Sequence, residues 1–112
     1  MKTKSENFLL ESQLPWEALD CGVSRQIAGY DSNLMLVKVK FIKGAVGAVH
    51  QHFHSQCSFV ASGAFEVNIK DEKRILKTGD SFYVESNAFH GVVCLRDGLL
   101  IDTFNPVRQD FL

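Results

Sequence analysis

Three of the chain's four histidines, His50, His52 and His54, fall within five residues, and the fourth is His90. Imidazole is a common ligand for divalent metals, and a protein site needs more than two such donors. Side chains two apart on a strand share a face with Cα atoms about 6–7 Å apart, so His50 and His52 can converge on one ion. His54 joins them if the strand persists. Otherwise it lies in the turn that follows, facing substrate or solvent. His90 supplies an imidazole from a later strand region, and Gln56 or Asn87 could add a carbonyl oxygen. The plainer alternative is a set of ordinary surface histidines.

These residues need a rigid frame, and the chain reads as strands from about Val23 onward. Met35, Val37, Val39 and Phe41 alternate with Leu36, Lys38 and Lys40, which predicts a strand with one apolar and one mostly wet face. Phe65, Val67 and Ile69 alternate in the same way, Asp71-Glu72-Lys73 is a turn cluster, and Ile75-Leu76 begins a return strand. Ser81–Val84, Val92–Leu95 and Leu99–Phe104 are further short apolar runs. Turn signals separate them at Thr78-Gly79-Asp80, Ser86-Asn87 and Arg96-Asp97-Gly98. Such spacing predicts an all-β antiparallel sandwich or barrel over residues 23–112. Residues 1–22 form an N-terminal arm. Within it Ser5-Glu6-Asn7 is expected to cap a short helix through Phe8–Gln13, ended at Leu14 by Pro15. Trp16 is either a core residue or an anchor that ties the arm to the barrel or to a partner subunit.

Composition narrows the function classes. The 112 residues fit one domain, and an apolar fraction of 46% is enough for a hydrophobic core. With 12 basic against 13 acidic side chains, the chain lacks the cationic surplus that general nucleic-acid binding requires. The N-terminal apolar run Phe8-Leu9-Leu10 falls short of the roughly 7–15 residues of a secretory signal. Nothing approaches the roughly 20 apolar residues of a membrane span. Cys21, Cys57 and Cys94 are odd in number and widely spaced, as expected of reduced thiols that pack as small hydrophobes in a cytoplasmic protein.

The histidine spacing extends into a longer pattern. Gly44-x5-His50-x-His52-x3-Gln56-x6-Gly63 resembles the first signature of the cupin superfamily at every interval, with Gln in place of the usual Glu. Gly79-x5-Glu85-x-Asn87-x2-His90-x3-Cys94 keeps the spacing of the second, with Glu85, Asn87 and Cys94 replacing its usual Pro, Gly and Asn. The resemblance covers roughly Val37 to Phe104. It implies a jelly-roll barrel in which His50, His52, Gln56 and His90 bind a divalent metal, with Zn, Ni, Fe and Mn all compatible with imidazole-rich ligation. Three neutral imidazoles and a neutral amide would leave the ion its full positive charge, which favours an anionic partner.

A second cluster lies near the C-terminus. Asp102 and Phe104 share one face of a terminal strand, and Arg108 follows Pro106. In a closed barrel that inward face looks toward the metal. Asp102 could serve as general acid or base, Arg108 could clamp a carboxylate in bidentate fashion, and Phe104 could cover a sugar ring. The plainer reading makes Asp102 a turn cap and Arg108 a solvated charge.

The runs His50-Gln51-His52-Phe53-His54-Ser55-Gln56-Cys57-Ser58-Phe59, Thr78-Gly79-Asp80-Ser81-Phe82 and Ile101 through Leu112 are similar to the KdgF-type proteins of pectin and alginate breakdown. That resemblance implies a metal-dependent conversion of unsaturated uronates, the products of polysaccharide lyases, into linear keto forms. In it Asp102 is the acid/base, and Arg108 and Phe104 contact a small anionic sugar-acid substrate. The alternatives are a non-catalytic cupin that binds a sugar or small carboxylate, and a small dioxygenase. A homodimer is also expected, since barrels of this size commonly pair their exposed sheet edges.

Overall fold

Inward and outward residues alternate along Met35–Phe41 as the pattern predicts: Met35, Val37 and Phe41 are buried and Lys40 is exposed. The computed structural model describes residues 2–112. Among these, the strands are β1 (Glu17–Ala18), β2 (Val23–Tyr30), β3 (Met35–Phe41), β4 (Val46–His50), β5 (Ser55–Ile69), β6 (Glu72–Lys77), β7 (Ser81–Val84) and β8 (His90–Asn105). They pair in the order β1-β2-β3-β8-β5-β6, with β4 added to β8 and β7 added to β5, all antiparallel. This is the expected all-β jelly-roll.

The registers divide the assembly into two layers that share their long strands. The first half of β5 lies between the last part of β8 and β7, next to β3 and β2. The second half of β5 lies between the first part of β8 and β6, next to β4. Between the layers pack Phe41, Val60, Phe65, Val84, Cys94 and Leu100, with the Phe41 and Phe65 rings edge to face at 5.2 Å. A second cluster is formed by Met35, Val37, Phe104 and Val107, with Phe111 packed against it.

The Arg96-Asp97-Gly98 signal is not a turn. β8 runs through it without interruption, so the two short strands expected on either side are one. The glycine is needed here because two backbones cross. A Cβ on Gly98 would stand 2.5 Å from the Ser62 carbonyl oxygen, and one on Gly63 would stand 2.6 Å from the Asp97 oxygen. Register shifts between Val60 and Phe65 mark the same place, where the long strands bend from one layer to the other. Asp97 is used elsewhere, its Oδ1 accepting the Lys43 N–H at 2.6 Å.

The arm also departs from expectation. Only Glu11–Gln13 is helical, as a single 3-10 turn, and Ser5 does not cap it. Ser5 pairs with the end of β2 instead: its N–H donates to the Tyr30 oxygen at 2.8 Å, and its Oγ accepts the Tyr30 N–H at 3.0 Å. Buried Gln26 donates from Nε2 to the carbonyls of Glu11 and Leu14. A six-residue segment cannot recover the cost of helix nucleation, and these anchors hold the arm against β2 with only that single turn. Trp16 is no core residue; it is half-buried with the Lys40 ammonium 4.0 Å above its ring, so it ties the arm to the barrel. Of the cysteines only Cys94 is buried, and Cys21 and Cys57 are exposed free thiols.

The crossing gives a direct test. Gly44 and Gly63 share a φ of +89°, but a Cβ on Gly44 meets nothing within 4 Å. Gly44→Ala is expected to cost about 1–2 kcal/mol, the left-handed backbone penalty alone. Gly63→Ala adds backbone overlap and is expected to cost roughly 3 kcal/mol or more. Urea midpoints at unchanged slope measure both, and equal losses would contradict the crossing as the constraint.

Candidate metal centre

His50 closes β4 and stands directly opposite His90, the first residue of β8. His52 reaches the same place differently from the expectation. β4 ends at His50, so no strand carries His52 back to the shared face. The following loop does so, pinned to the 85–88 turn: the Asn87 N–H donates to the His52 oxygen at 2.8 Å, and Gln51 Nε2 donates to the Asn87 oxygen at 2.9 Å. Asn87, weighed as an oxygen ligand, is instead an exposed turn residue at φ +67°. The three rings converge, with ring centroids 4.5 Å apart for His50–His90, 4.8 Å for His52–His90 and 5.4 Å for His50–His52. Their ligand nitrogens all lie within 4.8 Å of one another.

Hydrogen bonds decide which nitrogens are free. His50 Nδ1 lies 2.8 Å from the Ala48 oxygen, His52 Nδ1 3.0 Å from the His54 oxygen and His90 Nδ1 2.9 Å from the Ala88 oxygen. A carbonyl only accepts, so each Nδ1 carries the proton and each Nε2 offers a lone pair. His90 Nε2 is buried without any hydrogen-bond partner. Burial holds the His90 imidazole down to about 4, helped by the neighbouring His50, His52 and Arg108. Burial, with Arg108 second, also lowers His52. Neutral rings with free Nε2 atoms are what a divalent cation requires.

Gln56 completes the set. It is buried on β5, with Nε2 donating to Ser58 Oγ at 2.9 Å and Oε1 3.1 Å from His52 Nε2. Two lone-pair carriers facing each other at that distance repel unless a cation lies between them. The orphaned His90 nitrogen and this acceptor–acceptor contact both fit a bound divalent metal held by His50, His52, His90 and Gln56 oxygen.

His54 neither ligates nor meets solvent. It is buried, its Nε2 lies 3.2 Å from the Val107 oxygen, and its ring stacks on Phe53 at 4.1 Å. Its service to the site is the backbone carbonyl that orients His52.

A cavity of about 410 Å³ is lined by His50, Gln56, His90, Asp102, Phe104 and Arg108 among other residues. Asp102 accepts the Ser58 hydroxyl at 2.6 Å, and burial pushes its carboxyl up to about 6 against the pull of Ser58 and Arg108. Phe104 is buried edge-on to His52, with ring centroids 5.8 Å apart. The Arg108 guanidinium lies 5.1 Å from the centroid of Phe104 and 4.3 Å from that of Phe111. One of its edges is already taken, with Nε and Nη2 donating to the two Asp110 oxygens at 3.0 and 2.8 Å. Sequence reasoning missed Ser58, Asp110 and Phe111. The available signal was spacing, since Ser58 and Asp110 lie two residues beyond Gln56 and Arg108.

Known proteins share this architecture. The cupin domain family matches residues 37–101. The pectin degradation protein KdgF of Dickeya dadantii is 50% identical over 107 residues, covering 94% of this chain and 97% of that protein. The structure of KdgF from Halomonas sp. superposes with a TM-score of 0.92 at 42% identity, over 96% of this chain and all of that one. An RmlC-like cupin from Shewanella frigidimarina reaches 0.97 at 45% identity, over 99% of this chain and all of that one. The chain belongs to the cupin family and, within it, to the KdgF group.

Proposed function

We propose that this chain opens the ring of unsaturated uronates and releases them as linear keto acids, with a divalent metal bound by His50, His52, Gln56 and His90. The observation that carries this reading is one cavity lined by His50, His90 and Gln56 of the metal-ligand cluster, by a carboxyl raised by burial, and by a guanidinium with a free edge. The pectin-degradation name of the Dickeya relative supports the substrate class.

The substrate's chemistry suits these groups. Its ring oxygen and carboxylate are both attached to a double-bonded carbon, so the ring is an enol ether that becomes a ketone once opened. Opening breaks the bond between the ring oxygen and the anomeric carbon. The anomeric hydroxyl loses its proton as that carbon becomes an aldehyde, the ring oxygen becomes the ketone oxygen, and the second alkene carbon takes up one proton, with no net gain of atoms. A carboxyl lining the same cavity can take the first proton and deliver the second, which is the role of Asp102. The Nη1 side of Arg108, opposite its Asp110 contact, holds the substrate carboxylate, and Phe104 forms the apolar wall under the ring. A bound metal supplies Lewis-acid polarisation of substrate oxygens.

Loss of near-ultraviolet absorbance from a lyase-generated unsaturated monouronate measures turnover. The metal-loaded protein is expected to exceed the uncatalysed rate, and Asp102→Ala to lower kcat by roughly 10²–10⁴-fold. A wild-type rate equal to the uncatalysed one, or an Asp102→Ala variant of full activity, would sink the proposal. Tight calorimetric binding without turnover would assign a binding module instead.

The raised Asp102 carboxyl also predicts a stability signature in metal-free protein. Its folded value of about 6 lies above the ordinary 3.8, so the folded state binds more protons between those values. The ionised carboxylate therefore destabilises the fold fully above about pH 6, and the penalty disappears below about pH 4. Asp102→Asn removes it and is expected to stabilise the metal-free protein by roughly 1–3 kcal/mol at pH 7.5, with little gain at pH 4. Urea denaturation at the two pH values checks this, and an equal effect at both would count against it.

A further inference from the structure

Ser58 lies two residues beyond Gln56 on β5, on the same inward face, and directly opposite Asp102 in the β5–β8 ladder. It is fully buried. Its hydroxyl has one proton and two lone pairs. Asp102, ionised or protonated, always keeps an oxygen able to accept, and it takes the Ser58 proton at 2.6 Å. What remains on Ser58 can only accept, so the group facing it at 2.9 Å must be the amide nitrogen of Gln56. The other end of that amide, the carbonyl oxygen, is thereby turned toward His52 Nε2 and the metal position.

We propose that Ser58 is a positioning residue: its single proton, given to Asp102, fixes the Gln56 amide with its oxygen toward the metal and holds the acid/base carboxylate at the same time. The chain of donors runs in one direction, from Gln56 through Ser58 to Asp102. It also explains why position 56 carries Gln where the cupin pattern has Glu. A Glu there would set two carboxylates against one hydroxyl proton, leaving one of them buried without its donor, and such a group is costly. Gln supplies the missing donor and keeps an oxygen for the metal. The Asp102 half of this inference rests on the proposed uronate chemistry; the metal half does not.

The test uses Co²⁺ as the probe, added to metal-free protein and followed by its visible absorption. Ser58→Ala is expected to weaken Co²⁺ binding at least about tenfold, in the range typical of lost outer-shell partners, and to alter the Co²⁺ bands. Its kcat should fall while KM stays near the wild-type value, and Ser58→Thr, which keeps the hydroxyl, should restore both. Gln56→Glu should bind Co²⁺ as tightly as wild type or more so, yet lose at least about tenfold in kcat, because its carboxylate competes with Asp102 for the Ser58 proton. Circular dichroism checks folding, and Gln56→Glu removes no volume, so it tests the relay even if Ser58→Ala does not fold. Wild-type Co²⁺ affinity and spectrum in a folded Ser58→Ala variant, or wild-type kcat in Gln56→Glu, overturns the proposal. If wild type itself fails to turn over uronates, the Co²⁺ titration still decides whether Ser58 orients Gln56.

Discussion

Gln56 faces Phe104, Ser58 faces Asp102 and Ile69 faces His90 in a single antiparallel ladder, that of β5 with β8. Every group proposed to catalyse or ligate, outside the 50–54 segment and Arg108, is placed by this pairing. Because strand side chains alternate with a period of two, a slip of one residue would turn Gln56 and Ser58 outward together. The ladder cannot slip at its centre, where Gly63 and Gly98 cross so closely that neither position has room for a Cβ. The same crossing bends both strands, so one end of the ladder carries Asp102 and Phe104 while the other carries His90. His90 and the proposed acid/base Asp102 thus come from opposite ends of one pair of strands, folded over to face a common cavity, with Gln56 at the Asp102 end.

Electrostatics inside that cavity differ from the overall balance of the chain. The net charge of -1 comes from near-equal numbers of basic and acidic side chains, yet the proposed ligand set contains no carboxylate: three imidazoles, of which burial lowers His52 and His90, and one amide. Asp102 is a half-buried carboxyl lining the cavity, and desolvation raises it. A divalent ion bound here keeps most of its charge, and Arg108 adds another cation nearby. Anions of small size are therefore favoured over neutral sugars, and the field would strengthen further when water is displaced. A Glu at position 56 would cancel part of that field as well as disturb Ser58.

The parts of the site that depend on local spacing were legible in the sequence. His50, His52, Gln56 and His90 stand at cupin intervals, and the alternation through Met35–Phe41 and Ser81–Val84 marks β3 and β7. What failed depended on contacts between distant segments. Arg96-Asp97-Gly98 has the composition of a turn, but its glycine serves a strand crossing with Ser62 and Gly63. Ser5-Glu6-Asn7 has the composition of a helix cap, but Tyr30 and Gln26 bind the arm along β2, where only one 3-10 turn forms. His54 looks like a fourth ligand by spacing, and only the Val107 carbonyl, 53 residues away, reveals its structural use. Ser58 drew no notice because its partner Asp102 is 44 residues distant, and cross-strand register is not written in either residue alone.

The C-terminal segment shows how a surface end becomes part of a site. Arg108 would ordinarily be a mobile, hydrated side chain that loses conformational entropy when it binds a ligand. Here Phe104 and Phe111 lie against its guanidinium, Asp110 forks onto Nε and Nη2, and the Arg25 guanidinium also lies 3.9 Å from the Phe111 ring centroid. The guanidinium is held in place before any substrate arrives, so little ordering cost remains to be met on binding. Holding it by the Nε edge also decides which part is left for a carboxylate: the Nη1 side. Asp110 is therefore better read as the group that aims Arg108 than as a competitor for it. An exposed ion pair would contribute little to stability, but this one sets the direction of a buried cation, and direction is what discriminates one small anion from another.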